Sequence, residues 1–175
     1  MESHAGLEMI RKRSSDRLKF AIRLARRQDQ KQILSLISRQ RQADAAHAVL
    51  TYHRYFDLKQ RPQDRVFVAC MGREIIGVSG YWYDEYADSG VYWLGWTYVD
   101  PSCQGQGIGQ KLLHRVIQDL KKKKARKLYV DSSSRRLYRQ AIRFYLANGF
   151  KKEGVFNDYY QKGEDQIVLG KELGQ

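Results

Sequence analysis

Three glycines fall within six residues at Gln104-Gly105-Gln106-Gly107-Ile108-Gly109. The run before them, Val91 to Val99, is rich in aromatic and β-branched residues and is closed by Asp100-Pro101, which reads as a strand and its end. After them Ile108, Leu112, Leu113, Val116, Ile117 and Leu120 recur at helical spacing. A strand, a glycine turn and a helix start can make an anion seat, while the glycines alone would also serve a plain tight turn. The first helical N–H groups have no partner within the helix, the helix dipole adds positive potential, and glycine lets a ligand approach the backbone. The turn contains no Lys or Arg, so its binding would rest on backbone amides. The dinucleotide pattern G-x-G-x-x-G fails, because a third glycine counted from Gly105 and Gly107 would fall at Gln110. The phosphate-loop pattern fails too, since Gly-Lys-Ser/Thr never occurs.

The rest of the chain alternates strand and helix signals. Leu18, Phe20, Ile22 and Leu24 have strand spacing. Residues 29–40 and 44–57 read as amphipathic helices, the second presenting Ala45, Ala48, Val49, Tyr52, Tyr55 and Phe56 on one face. Val66–Met71 and Glu74–Tyr83 read as a hairpin turning at Gly72-Arg73. Lys127–Asp131 reads as a strand. Leu137, Ala141, Ile142, Tyr145 and Leu146 form a helix face that Asn148-Gly149 ends, and Phe150–Tyr160 and Gln166–Leu169 are closing strands. The order β-α-α-β-β-β-α-β-α-β-β predicts an α+β fold, a mixed sheet holding one parallel pair beside an antiparallel meander. Residues 17–175 are expected to form one domain, with residues 1–16 a flexible tail.

The net charge of +13 over 175 residues attracts anions without choosing among nucleic acid, lipid and phosphorylated cofactor. That charge is uneven. Residues 74–110 hold Glu74, Asp84, Glu85, Asp88 and Asp100, no Lys or Arg, and all three tryptophans, Trp82, Trp93 and Trp96. Carboxylates beside ring faces suit a cationic ligand, although the same residues also serve as core and as a solvated turn. The run Lys121–Lys124 suits a helix C-terminus. No apolar run approaches the roughly 20 residues of a membrane helix. The first residues lack the apolar core of a secretory signal. Cys70 and Cys103 make neither a disulfide scaffold nor a zinc site and fit a reducing cytoplasm, and the four histidines are not at metal-ligand spacing.

Val99 through Gly109, with Gln104, Gly107 and Gly109 filling Gln/Arg-x-x-Gly-x-Gly/Ala, resembles the acyl-CoA-binding motif of the GNAT family of N-acetyltransferases. Ala141 through Phe150 resembles that family's second signature, a helix ending in Tyr followed by Gly-Phe. The two occur in the family's order and spacing, and the resemblance covers about Leu18 to Leu173. It implies a GNAT-like, mostly antiparallel twisted sheet flanked by helices, with a splayed parallel pair that binds acyl-CoA. It implies acetyl-CoA as co-substrate and acetyl transfer to a small-molecule or peptide amine. The backbone of Thr97, Tyr98 and Val99 would pair with the pantetheine arm. The amides of Gln104, Gly105, Gln106, Gly107, Ile108 and Gly109 would hold the pyrophosphate. A homodimer and a nucleic-acid partner for the basic surface stay open, as does the alternative of a non-catalytic basic domain binding RNA or another acidic partner.

The chemistry needs a proton donor for the leaving thiolate, whose acid has a pKa near 8.5, and a route for the proton of an amine with a pKa near 10.4. By the resemblance Tyr145 is the donor. The Glu base that some members of the family carry six residues before the Val99 position is Trp93 here, other members using a carboxylate elsewhere or a water chain, and the Asn that many carry seven residues before the Tyr is Tyr138. The remaining carboxylate candidates are Asp84, Glu85, Asp88, Asp131 and Asp158. Asp84, Glu85, Asp88, Trp93 and Asp158 are the candidate substrate residues.

Overall fold

The computed structural model describes residues 18–40, 42–58, 62–87 and 90–174. The expected tail and Asp88 lie outside the described residues. The elements are β1 (Ala21–Leu24), α1 (Gln30–Gln40), α2 (Gln42–His53), β2 (Arg65–Met71), β3 (Glu74–Tyr83), β4 (Val91–Leu94), β5 (Tyr98–Val99), α3 (Ile108–Lys122), β6 (Lys127–Ser133), α4 (Arg139–Ala147), β7 (Lys151–Gln161) and β8 (Glu164–Glu172). They build one eight-stranded sheet in the order β1-β2-β3-β4-β6-β8-β7, with β5 also on β3. The pair β4/β6 is parallel, and every other recorded pair is antiparallel. The expected α+β class and mixed sheet are therefore found.

Strand alternation splits the core between the two faces of the sheet. On β2, Phe67 and Ala69 join the cluster of Leu112, Leu113, Val116 and Leu120 from α3. Val66 and Val68 join Ile33, Leu36 and Ile37 of α1 and Tyr52 of α2. Helix α3 lies so close to β3 that a Cβ on Gly77 would come within 3.0 Å of Leu112 Cδ1. Helix α4 stops where expected, with Gly149 at φ +82°.

One expectation fails. Val91–Val99 is two strands, not one. On β3, three steps from Tyr81 to Val78 face four steps from Leu94 to Tyr98, so one extra residue bulges out. Gly95 sits in that bulge, its N–H bonded to Gly80 O at 2.8 Å. A Cβ there would lie 2.7 Å from the Trp82 indole nitrogen, so the site admits only glycine. Among the described residues, no helix is long and apolar enough to cross a membrane.

Candidate active site

The bulge opens the sheet. Strands β4 and β6 pair at Val91↔Lys127, Tyr92↔Leu128 and Trp93↔Tyr129 and no further. Beyond that point β6 stays with β8 out to Ser133↔Gln166, while the other arm stays with β3, continuing past the bulge as β5. The two arms diverge, and a cleft of about 1610 Å³ runs through the gap.

At one end of the cleft lies the glycine turn. Asp100 folds the approach to it, accepting from Ser102 N at 3.0 Å and Ser102 Oγ at 2.6 Å. These bonds, helped by the Arg39 guanidinium, hold its carboxyl below the usual range. Gly105 and Gly107 have φ of +75° and +77°, and a Cβ on either would meet nothing within 4 Å. Their backbone shape demands glycine there, and the space above them is open. Lys111 N–H is the first α3 amide to reach back, to Gly107 O at 3.0 Å, so those of Ile108, Gly109 and Gln110 keep no intrahelical acceptor. Gln104, Gly105, Gly107, Ile108 and Gly109 line the cleft; Gln106 is not among the lining residues. Gln104 Nε2 bonds Val99 O at 3.1 Å and ties the turn to β5. The backbone run Thr97–Val99 lines the same gap.

Tyr145 is buried on α4 between the rings of Phe144 and Phe150 and borders the gap. Burial pushes its phenol up to about 12; the Asp131 charge adds to this, and a hydrogen bond with Thr97 opposes it. Thr97 Oγ1 also lies 2.8 Å from Ser79 Oγ.

The acidic, aromatic segment borders the cleft near the paired end of β4. Asp84 spends Oδ2 on the Trp93 indole N–H at 2.8 Å and Oδ1 on the N–H groups of Tyr86 and Ala87. It caps its own turn and orients Trp93. Glu85 and Trp93 line the cleft, as do Tyr55 and Trp82, whose rings lie 6.1 Å apart. Asp158 lies outside the lining. Its φ is +53°, its N–H donates to Asp165 Oδ1 and its Oδ1 accepts from Gly163 N–H, so it shapes the β7–β8 hairpin.

Two side-chain networks were not legible from spacing. Asp131 Oδ2 accepts from Gln166 Nε2 at 2.8 Å and from the Tyr160 hydroxyl at 3.2 Å. Burial and the Asp131 charge push the Tyr160 phenol up to about 12. Glu164, buried where Asp131 is exposed, accepts from Ser133 Oγ at 2.6 Å and pairs with Arg135 at 2.7 Å. Both join residues 29 or more positions apart, through register set by β6–β8 pairing. Tyr138 lines the cleft at the start of α4 without its side chain capping the helix. Among the described residues, no cluster suited to a metal occurs.

Comparison with known proteins agrees with this architecture. A 92-residue segment, 52% of the chain, is 34% identical to the spermine/spermidine N(1)-acetyltransferase of Bacillus subtilis (strain 168) and spans 56% of that protein. The chain thus matches only about half the length of that relative. A Desulfovibrio desulfuricans structure assigned to the GNAT family superposes at a TM-score of 0.81 with 25% identity, over 89% of this chain and 100% of that one. An aminoglycoside 6′-N-acetyltransferase complexed with coenzyme A shares the fold at a TM-score of 0.72 and 14% identity, over 89% of this chain and 98% of that one. The sequence pattern of the acetyltransferase (GNAT) family matches residues 20–150, spanning the opened sheet, the glycine turn and Tyr145, and the chain belongs to that family.

Proposed function

We propose that this GNAT-family acetyltransferase uses acetyl-CoA to acetylate a primary amine on a small cationic molecule, by direct attack of the amine on the thioester. The observation that carries the reading is the gap between β4 and β6, which has an amide-lined glycine turn at one end and a buried phenol beside it. Acetyl-CoA supplies an activated acyl group on a thiol leaving group. The open amides of Ile108, Gly109 and Gln110, with the positive-φ glycines beside them, suit its pyrophosphate. Thr97, Tyr98 and Val99 border the same gap, beside the glycine turn, and suit its amide-bearing arm.

Tyr145 is the proton donor in this reading. A phenol held near 12 stays protonated at neutral pH, so its O–H is present to donate to the sulfur as the C–S bond breaks. The acceptor is a cation because Asp84, Glu85 and the rings of Trp82 and Trp93 border its approach. The spermine/spermidine acetyltransferase of Bacillus subtilis supports a polyamine-like acceptor. Both cysteines are free, which suits a reducing cytoplasm.

Thermal melting with acetyl-CoA, CoA and ATP tests the cofactor. A ligand at 100 times its Kd adds about 2.7 kcal/mol, a rise of about 5–10 °C for a chain of this size. That rise is expected with acetyl-CoA and CoA and not with ATP. An equal response to all three would reduce the turn to a generic polyphosphate site and refute the reading.

A further inference from the structure

The reading above leaves the amine's proton without an acceptor. Trp93, on β4 beside the gap, is an indole that donates to Asp84 and accepts no proton. The carboxylates lining the cleft are Asp64, Asp84, Glu85, Asp131 and Glu164. Asp64 is buried with Oδ1 on Tyr83 N–H. Asp84 has Oδ1 on its own turn and Oδ2 on the Trp93 indole, and Glu164 has one oxygen on Ser133 and the other on Arg135. Asp84 and Glu85 belong to the β3–β4 turn, which precedes Val91. They stand at the paired end of β4, while the gap opens at its other end, about 10 Å along the strand.

Asp131 differs on each count. It stands two residues past Tyr129, the last β6 residue paired with β4, so it sits at the mouth of the gap. It shares the face of Tyr129, opposite Leu128 and Val130, which are buried in the cluster with α3. Both of its hydrogen bonds fall on Oδ2, from Tyr160 and Gln166. Among the described residues no cation pairs with it, whereas Asp29, Asp100, Glu153, Glu164 and Glu172 each have one. Asp131 and the buried Tyr145 both line the cleft, and the Asp131 charge helps raise that phenol.

We infer that Asp131 is the general base of the reaction, with Oδ1 receiving the amine proton and Tyr160 and Gln166 holding the carboxylate in position. The inference rests on the proposed amine acetylation. Proton transfer from a free alkylammonium to a carboxylate is about six pK units uphill. The first proton of the ammonium is therefore lost to solvent, and the neutral amine attacks. As the N–C bond forms the nitrogen becomes strongly acidic, and its second proton passes to Asp131. The C–S bond breaks and Tyr145 gives its proton to the sulfur. Asp131, exposed to solvent, returns a proton to Tyr145 through water. One amide, one thiol and one net proton result.

The test uses the full chain, acetyl-CoA, and spermidine within a panel of primary amines. Asp131→Asn should lower kcat/KM about 100-fold or more while calorimetric acetyl-CoA affinity stays unchanged. Asp131→Ala should recover turnover with added formate, which can enter the vacated space. Tyr160→Phe should lower kcat severalfold in the wild type and have no further effect on Asp131→Asn, because it acts through that carboxylate. Asp131→Asn within threefold of wild type overturns the assignment. So does an Asp131→Ala variant that binds acetyl-CoA poorly and ignores formate, which marks a structural acid. A wild type that binds acetyl-CoA yet acetylates no amine sinks the amine reading itself, and this inference with it.

Discussion

On the side of the cleft bounded by α3, the lining brings together the positive-φ glycines, the first amides of α3 and strand β5. On the side bounded by the β3–β4 turn, α2 and the β7–β8 hairpin, it is mostly side chain: Asp84 on Trp93, Tyr55 beside Trp82, Tyr160 on Asp131. The first side is held by α3, whose buried Ile108, Leu112, Leu113, Val116 and Leu120 weld it to the sheet. The second is carried by exposed strands and turns; Tyr160 is 45% and Phe156 57% exposed on β7. A backbone seat recognises a ligand part that never changes. A side-chain wall can be altered without disturbing the fold, so it suits the part that sets the acceptor.

The sharpest way to break this contrast is Gly107→Trp. Its φ of +77° disfavours any side chain, and an indole would fill the open space above the turn. Acetyl-CoA affinity should fall about 100-fold or more, with the strain at one surface turn costing about 1–2 kcal/mol of stability. Retained affinity in a folded variant would show that the amides do not form the seat.

Next is Tyr145→Phe. Loss of the proton donor should lower kcat about 100-fold with little change in acetyl-CoA affinity. The wild-type phenol is held up near 12, so it titrates only well above neutrality. Activity should therefore show no loss of this donor from pH 7 to about 10. An unchanged kcat in the variant, or a basic decline near pH 8 that the variant abolishes, contradicts the assignment.

The smallest effect is expected from Asp84→Ala. Freeing the Trp93 indole and uncapping the β3–β4 turn should raise the amine KM about three- to tenfold and leave acetyl-CoA binding untouched. An equal loss of acetyl-CoA affinity would mean that the two sides are not separable.

Legibility followed the same division. The glycine turn and α3 were readable because they are local. An apolar stripe, a strand end and three glycines lie within about twenty consecutive residues, and helical geometry does the rest. The α4 signature with Tyr145 and Gly149 was readable for the same reason. Trp93, Asp84 and Glu85 were found through composition, but composition did not show that Asp84 is consumed in holding Trp93. Asp158 looked like a candidate acid, and its αL backbone and hairpin bonds show a turn residue.

The sequence by itself determined the strand–turn–helix seat, the helix and strand order and the mixed sheet, because each rests on periodicity and on local backbone preferences. Tertiary structure alone decided three things: the break of Val91–Val99 into two strands, the point where β4 and β6 part, and the meeting of Asp131 with Tyr160 and Gln166. Each depends on pairing register between distant strands. A one-residue slip turns every side chain to the opposite face, and no local pattern records the slip at Gly95.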